Sequence, residues 1–294
     1  MAGLREAVLL MTHFVDDAIV ALYRRLAGEA GARDVFVLLN QTDNVNPSYR
    51  IPADVKVFGF TVADLRRLGY PFKGRRLRDK DIELFPFTFW KRHPDYDRIW
   101  VVEYDVMFTG RWGDLFDAFA TDDAGLLATS IHRHRVNPTW PNWPSVRTPE
   151  GPPDPARLVR AFMPLYRLTR EAYVVLDAAY KRGWEGFYEG IVPGILMEAG
   201  LTVEDIGGDG EFVRPANRNR FYTSTPSSNE LSPGTFVFRP VRTTPGTEPG
   251  RLWHPIKPDS NRVGWPIRRR QQIVHRARVL ARSGMARLAQ LWER

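Results

Sequence analysis

Short apolar runs alternating with helix-spaced segments constrain this chain more than any other feature. Ala7 to His13, Val35 to Leu39, Val55 to Phe60 and Ile99 to Val102 are of strand rather than helix length and rich in Val, Leu, Ile and Phe, as expected of buried strands. After the first run, Asp16 and Asp17 open a helical pattern of Ile19, Leu22, Tyr23 and Leu26 that Gly28 or Gly31 ends,. Thr61 precedes a shorter helix through Leu65 and Leu68. Strands alternating with helices predict a mostly parallel sheet covered on both faces.

Further elements follow the same reading. Asp79 to His93 is aromatic and partly helical, with Pro86 as a kink or a new start and Pro94 as its end; Gly125 to Ser130 is another strand,. Residues 132–155 are dense in Pro and Trp and read as a long ordered loop or lid,. A helix is predicted over Arg170–Lys181, capped by Thr169 and stopped by Gly183, and another starts with Pro193 as its first residue and ends at Gly200,. Thr235 to Arg239 is expected as an outer strand.

Composition narrows the chemistry. The 294 residues, 43% hydrophobic and 26% charged, allow a real core and exclude a disordered, collagen-like or polytopic membrane chain,. With no cysteine, disulfide scaffolds, thiol nucleophiles, thiolate zinc sites and iron–sulfur clusters are excluded, so a metal would be held by oxygen or imidazole. The run from Ala7 to Met11 is too short to span a bilayer and no signal peptide is read,; a cytoplasmic location is expected.

The net charge of +8 is concentrated at one end. From Arg268 to Arg294 eight arginines face a single acid, Glu293, a net +7, so the rest is close to neutral,. We therefore divide the chain into a domain over 1–263 and a basic amphipathic helical tail over 264–294, with an apolar stripe of Ile273, Ala277, Leu280, Gly284, Leu288 and Leu291,. That tail suits docking on the domain, reversible binding to an anionic membrane surface through residues 268–294, or a nucleic-acid arm. Nucleic acid is the least expected of the three partners. Attachment to lipid would place the chain peripherally on the inner face of the membrane.

One strand end stands out. Ile99 to Val102 runs into Glu103, Tyr104 and Asp105; at a period of two, both carboxylates would share one face, and oxygen ligands of this kind suit Mg²⁺ or Mn²⁺. The stretch Tyr96-Asp97-Arg98-Ile99-Trp100-Val101-Val102-Glu103-Tyr104-Asp105-Val106 resembles the signature strand of GT-A-fold glycosyltransferases, in which an apolar strand delivers a D-x-D-type motif to a cation on a nucleotide diphosphate. Glu103 departs from that pattern at its first acidic position. With the strand–helix alternation, the resemblance extends over roughly residues 5–260.

The resemblance implies a GT-A-like, mostly parallel mixed sheet flanked by helices, and a metal-dependent transfer of sugar from a nucleotide-diphosphate donor, by default a UDP-sugar, to a hydroxyl acceptor such as a glycan or a lipid-linked or surface polymer. Asp105 would bind the metal directly; Glu103 would contact metal, metal-bound water or ribose, with Tyr104 between them. In Leu252-Trp253-His254-Pro255-Ile256-Lys257, His254 would complete the metal shell and Lys257 would meet the diphosphate. His13 and Asn40 end the first two strands, where the family binds base and ribose. Glu189, with Glu185 second, sits in the glycine-punctuated loop where inverting members present a general base; retention of configuration would need neither. Trp140, Trp143 and Trp184 offer flat faces for an acceptor.

Each residue also has an ordinary explanation. Glu103 and Asp105 can be a solvated strand end, His254 a partly buried histidine with one hydrogen bond, Glu189 an acid at a helix N-terminus, and the tryptophans pins for their loops. The cluster Lys73, Arg75, Arg76, Arg78 and Lys80 reads as a solvated basic loop, as do His132 and His134 in their strand exit. P-loop, dinucleotide and serine-hydrolase motifs are absent from the sequence,. Two alternatives stay open: a non-catalytic protein of this fold recruited by its tail to membrane or nucleic acid, and a nucleotidyltransferase.

Overall fold

A computed structural model describes residues 3–71 and 81–257. The basic cluster at 73–80 and the tail at 264–294 lie outside the described residues. The described residues fall into two contact units, one of residues 3–71, 81–241 and 245–256 and another of 242–244 and 257; in the second, the Lys257 N–H donates to the Arg242 carbonyl (2.8 Å).

The first unit begins with β1 (Glu6–Thr12), α1 (Asp17–Glu29), β2 (Asp34–Asn40), β3 (Val57–Phe60) and α2 (Val62–Arg67). The Asp16 side chain caps α1 by accepting from the Ile19 N–H, and Ile19, Val20, Leu22, Tyr23 and Leu26 are buried,. Gly28 lies inside α1; Gly31, at φ 67°, follows its end,. Thr61 and Asp64 form a capping box on α2,. Then come α3 (Phe85–Arg92), β4 (Arg98–Glu103), β5 (Met107–Phe108), α4 (Trp112–Asp117), β6 (Leu126–Arg133), β7 (Val159–Thr169), α5 (Arg170–Lys181), α6 (Tyr188–Glu198), β8 (Val203–Asp205) and β9 (Leu252–Trp253). Pro86 is at the start of α3, where its missing N–H is no loss,.

The sheet order is β3-β2-β1-β4-β7-β6-β8. β7 runs antiparallel to both neighbours and the other pairings are parallel. One face buries α1 and α4, with Trp100 of β4 against Phe116 of α4, and the other buries α3, α5 and α6 through Phe87, Tyr173 and Ile191. The fold is thus α/β, a mixed and mostly parallel seven-stranded sheet flanked by helices.

β7 is the longest strand that periodicity does not assign, because its sequence VRAFMPLYRLT places Pro164 and two arginines in a central strand,. The ladder explains both. Between Leu127↔Arg167 and Thr129↔Phe162 the β6–β7 register shifts, so residues 163–166 bulge away from β6, and Pro164 falls where no ladder N–H is needed,. Arg167, fully buried, donates to the carbonyls of Phe119 (3.1 Å) and Ala124 (3.0 Å) and pairs with Asp122 (3.3 Å),.

Three further expectations are corrected. Pro193 lies inside α6 rather than at its first position, since the helix starts five residues earlier, behind Phe187. Residues 235–239 form no strand; Phe236 makes only an isolated bridge to His254. β6 continues through Arg133, so the Pro- and Trp-rich segment begins later than expected, and its Trp140, Trp143 and Val146 make a small core with Leu158.

Candidate metal centre and its surroundings

The strand order reverses between β1 and β4, and in open α/β sheets the crevice outside the carboxyl ends at such a switch is where ligands sit,. β4 ends there at Glu103. Asp105 is not on the strand, as the period-of-two reading has it, but in a turn closed by the Val106 N–H on the Glu103 carbonyl (3.0 Å). The two carboxylates converge through that turn.

His254 reaches them by a second device. β5 and β9 pair antiparallel, Met107 opposite Trp253 and Phe108 opposite Leu252, and the Ile256 N–H donates to the Asp105 carbonyl (2.8 Å). Ligand atoms of Glu103, Asp105 and His254 then all lie within 4.8 Å of one another. Asp105 and His254 are buried and Glu103 is half-buried.

The imidazole is oriented. Its Nδ1 is 2.8 Å from the Val237 carbonyl, which can only accept, so Nδ1 carries a proton. Phe162 and Phe236 pack on the ring at 5.2 and 5.4 Å. In the neutral ring Nε2 is a lone pair facing Asp105 Oδ1 at 3.5 Å, two acceptors that repel unless a proton or a cation lies between them. A carbonyl fixing the far nitrogen of a histidine is the outer support that metal-ligating imidazoles commonly have. This buried Glu/Asp/His group can bind a metal ion; its donors, two carboxylates and one imidazole without sulfur, suit a hard or borderline divalent cation.

At the mouth of the same crevice His13 and Tyr104 meet edge to face (5.5 Å), with Phe14 against both. Asn40, at the end of β2, is buried; its side-chain oxygen accepts from the N–H groups of Thr42 and Asp43 and its amide donates to Asp43, so its polar atoms shape the following turn. Lys257 belongs to the second unit.

Glu189 stands in the first turn of α6 and is buried. Burial pushes its carboxyl up to about 7, against the opposing pull of the Arg160 cation and a Met163 backbone N–H,. The Tyr188 hydroxyl lies in the fields of both Glu189 and Glu103, which adds to the effect of burial in raising it. Glu185 is half-buried, its backbone bridged to Arg147 and its carboxylate 3.7 Å from the same residue's guanidinium.

The three tryptophans are inside the protein. Trp140 and Trp143 pack edge to face at 4.8 Å, Phe187 closes on Trp140 at 5.7 Å, the Trp143 indole N–H donates to the Asn137 carbonyl (2.8 Å), and Trp184 joins the main core. Their rings are at most 6% exposed, so these faces are spent on packing.

Two residues escaped the sequence reading. Arg160 on β7, 1% exposed, lies over the Trp140 ring at 4.6 Å and supplies the cation near Glu189,. His132 is no solvated basic turn: it is 3% exposed, and burial beside Arg160 pushes it down to about 3. A basic residue inside an apolar strand was the available signal for Arg160; nothing local distinguishes His132 from His134.

No protein-family model and no curated protein matches the chain. Solved structures similar to it include 4-diphosphocytidyl-2C-methyl-D-erythritol synthase from Anaerococcus prevotii (9% identity, TM-score 0.40, covering 73% of this chain and 91% of that one). Mouse xyloside xylosyltransferase 1 is another (13%, 0.37, 70% and 86%). The catalytic domain of Drosophila β1,4-galactosyltransferase 7, solved with xylobiose, is a third (15%, 0.33, 69% and 65%). Among the described residues no helix is long and apolar enough to cross a membrane.

Proposed function

We propose that this chain is a metal-dependent glycosyltransferase, moving a sugar from a nucleotide-diphosphate donor to a hydroxyl acceptor. One observation carries the reading: Glu103, Asp105 and a carbonyl-oriented His254 converge at the switch point of the sheet. Glu103, Asp105 and His254 would hold the cation, and the imidazole favours Mn²⁺ over Mg²⁺. Bound there, a divalent cation supplies Lewis-acid stabilisation of a departing diphosphate.

The chain's own residues supply the rest. His13 and Tyr104 offer aromatic surface beside the site for a nucleoside, and Lys257 is the proposed partner of the diphosphate. Glu189 is the proposed general base, since a carboxyl near 7 is partly ionised at neutral pH and basic enough to take a hydroxyl proton,. Glu185, held by Arg147, is the weaker choice. A UDP-sugar is the default donor, and a glycan or lipid-linked polymer the acceptor class.

The experiment is calorimetric titration of the full chain with UDP, GDP, CDP, ADP and TDP, with and without Mn²⁺. Binding of one diphosphate only when Mn²⁺ is present is expected; metal-independent binding, or none, overturns the reading. Turnover that releases pyrophosphate rather than a nucleoside diphosphate would move the chain to nucleotidyl transfer.

A further inference from the structure

β7 carries a cation into the interior. Arg160 stands opposite His132 in the β6–β7 ladder and is 1% exposed. Its guanidinium stays protonated at any ordinary pH, and a buried cation of this kind is costly without a counter-charge. None comes from β6: His132 is neutral, with Nδ1 bonded to the Ser130 carbonyl (2.8 Å) and its protonation suppressed by burial and by Arg160 itself. The acid whose field reaches Arg160 is Glu189, in the first turn of α6.

Field and contact are separate here. Arg160 and Glu189 act on each other through space and not through a hydrogen bond, and Arg160 Nε and Nη1 have no hydrogen-bond partner among the described residues. Trp140 explains the gap. The guanidinium lies over its ring at 4.6 Å,. The same indole is pressed against the start of α6, where Phe187 packs on it at 5.7 Å and a Cβ on Gly190 would come within 3.3 Å of its six-membered ring. Trp140 is thus a spacer between β7 and the turn that bears Glu189. Of the other groups around that turn, the Met163 N–H donates to Glu189, and Tyr188 is a neutral phenol on which Glu103 and Glu83 act without acting on Glu189. Glu185, before α6, faces Arg147 at 3.7 Å.

We propose that Arg160 is a positioning residue for Glu189, with Trp140 as its spacer: the cation favours the ionised carboxyl from a distance, and the indole prevents the ion pair that would occupy its oxygens. The inference rests on the reading of Glu189 as the general base. A direct ion pair would leave a weaker base, whereas burial with no cation at all would leave a neutral acid. The spaced cation holds the carboxyl between those limits, where it can take a hydroxyl proton near neutral pH.

The test follows the Glu189 carboxyl carbon by NMR against pH in the full chain, without metal or nucleotide, the signal being assigned by its loss in Glu189→Gln. Arg160→Met, apolar and of similar length, should raise the titration midpoint by about one pH unit or more. Arg160→Lys, which keeps a cation, should bring it back toward the wild-type value. Trp140→Leu should lower the midpoint, since the guanidinium is then free to pair with the carboxylate, and it keeps the test decisive if Arg160→Met does not fold. During turnover the acid limb of kcat/KM should move with the midpoint. The proposal is overturned if Arg160→Met leaves the midpoint unmoved, if Arg160→Lys raises it as much as Arg160→Met, if Trp140→Leu does not lower it, or if the limb stays while the midpoint moves. Failure of the transfer reading shows elsewhere, as nucleoside diphosphates that do not bind with Mn²⁺, and leaves this titration as it is.

Discussion

Replacing Glu189 by Gln removes one titrating group from the core, and its effect on stability follows from the structure. Folded, the carboxyl titrates near 7; its ordinary value is 4.5. Between those limits the unfolded chain has released a proton that the folded chain retains, so the wild type binds more protons folded than unfolded and its stability falls as pH rises. The loss is complete above pH 7 and absent below 4.5. At about 1.4 kcal/mol per unit of displacement, it amounts to about 3 kcal/mol. The variant lacks this slope. Urea unfolding of both proteins from pH 4 to 8 should therefore show Glu189→Gln gaining about 3 kcal/mol relative to the wild type across that window, with unchanged m-values. His132 contributes a slope of the opposite sign, but it is common to both proteins and cancels in the difference. A difference that stays constant from pH 4.5 to 8 would refute the assignment of a buried, largely protonated carboxyl.

Other perturbations probe separate parts of the molecule. Asp105→Asn should lower Mn²⁺ affinity by more than about 100-fold in calorimetry, with circular dichroism unchanged; retained affinity would remove the turn carboxylate from the site. His254→Gln should weaken Mn²⁺ by about 10-fold or more and Mg²⁺ less, because imidazole is the ligand that separates the two ions. His132 is neutral when folded down to about 3 but charges near 6.5 when unfolded. Stability due to it is complete above 6.5 and falls on acidification, by up to about 5 kcal/mol, so His132→Gln should flatten the acid limb in pH-dependent unfolding. Pro164→Ala should change stability by less than about 1 kcal/mol, since the bulge already excuses that residue from the β6 ladder,; a larger loss in urea unfolding would contradict that placement.

What could be read from residues alone was whatever depends on local pattern. Strands β1, β2 and β4, the Asp16 and Thr169 caps and the acid-bearing end of β4 all announce themselves within a few residues. β7 did not, because a bulge that tolerates Pro164 and carbonyls that satisfy Arg167 are supplied by β6 and by the chain between Phe119 and Ala124. The same limit divides the site. Glu103, Asp105 and His254 were named from the sequence, yet how they meet was misread: a turn, not strand alternation, brings the acids together. Trp140 and Trp143 looked available because their segment is long and proline-rich, whereas their partners Phe187 and Arg160 lie elsewhere in the chain.

The pairing of β5 with β9 has a consequence for how the molecule is made and kept. Asp105 and His254 stand 149 residues apart in the sequence, and the two-residue ladder, the Ile256–Asp105 hydrogen bond and the bonds between Thr109 and Arg251 join their segments. An ion shared between them would act as a removable staple closing a very long loop, the kind of link whose release restores most chain freedom. Loading would then report on completed folding: a nascent chain that has not yet delivered residue 254 has its acids but not its imidazole, and stripping the ion would loosen the carboxyl-terminal segment before the central sheet.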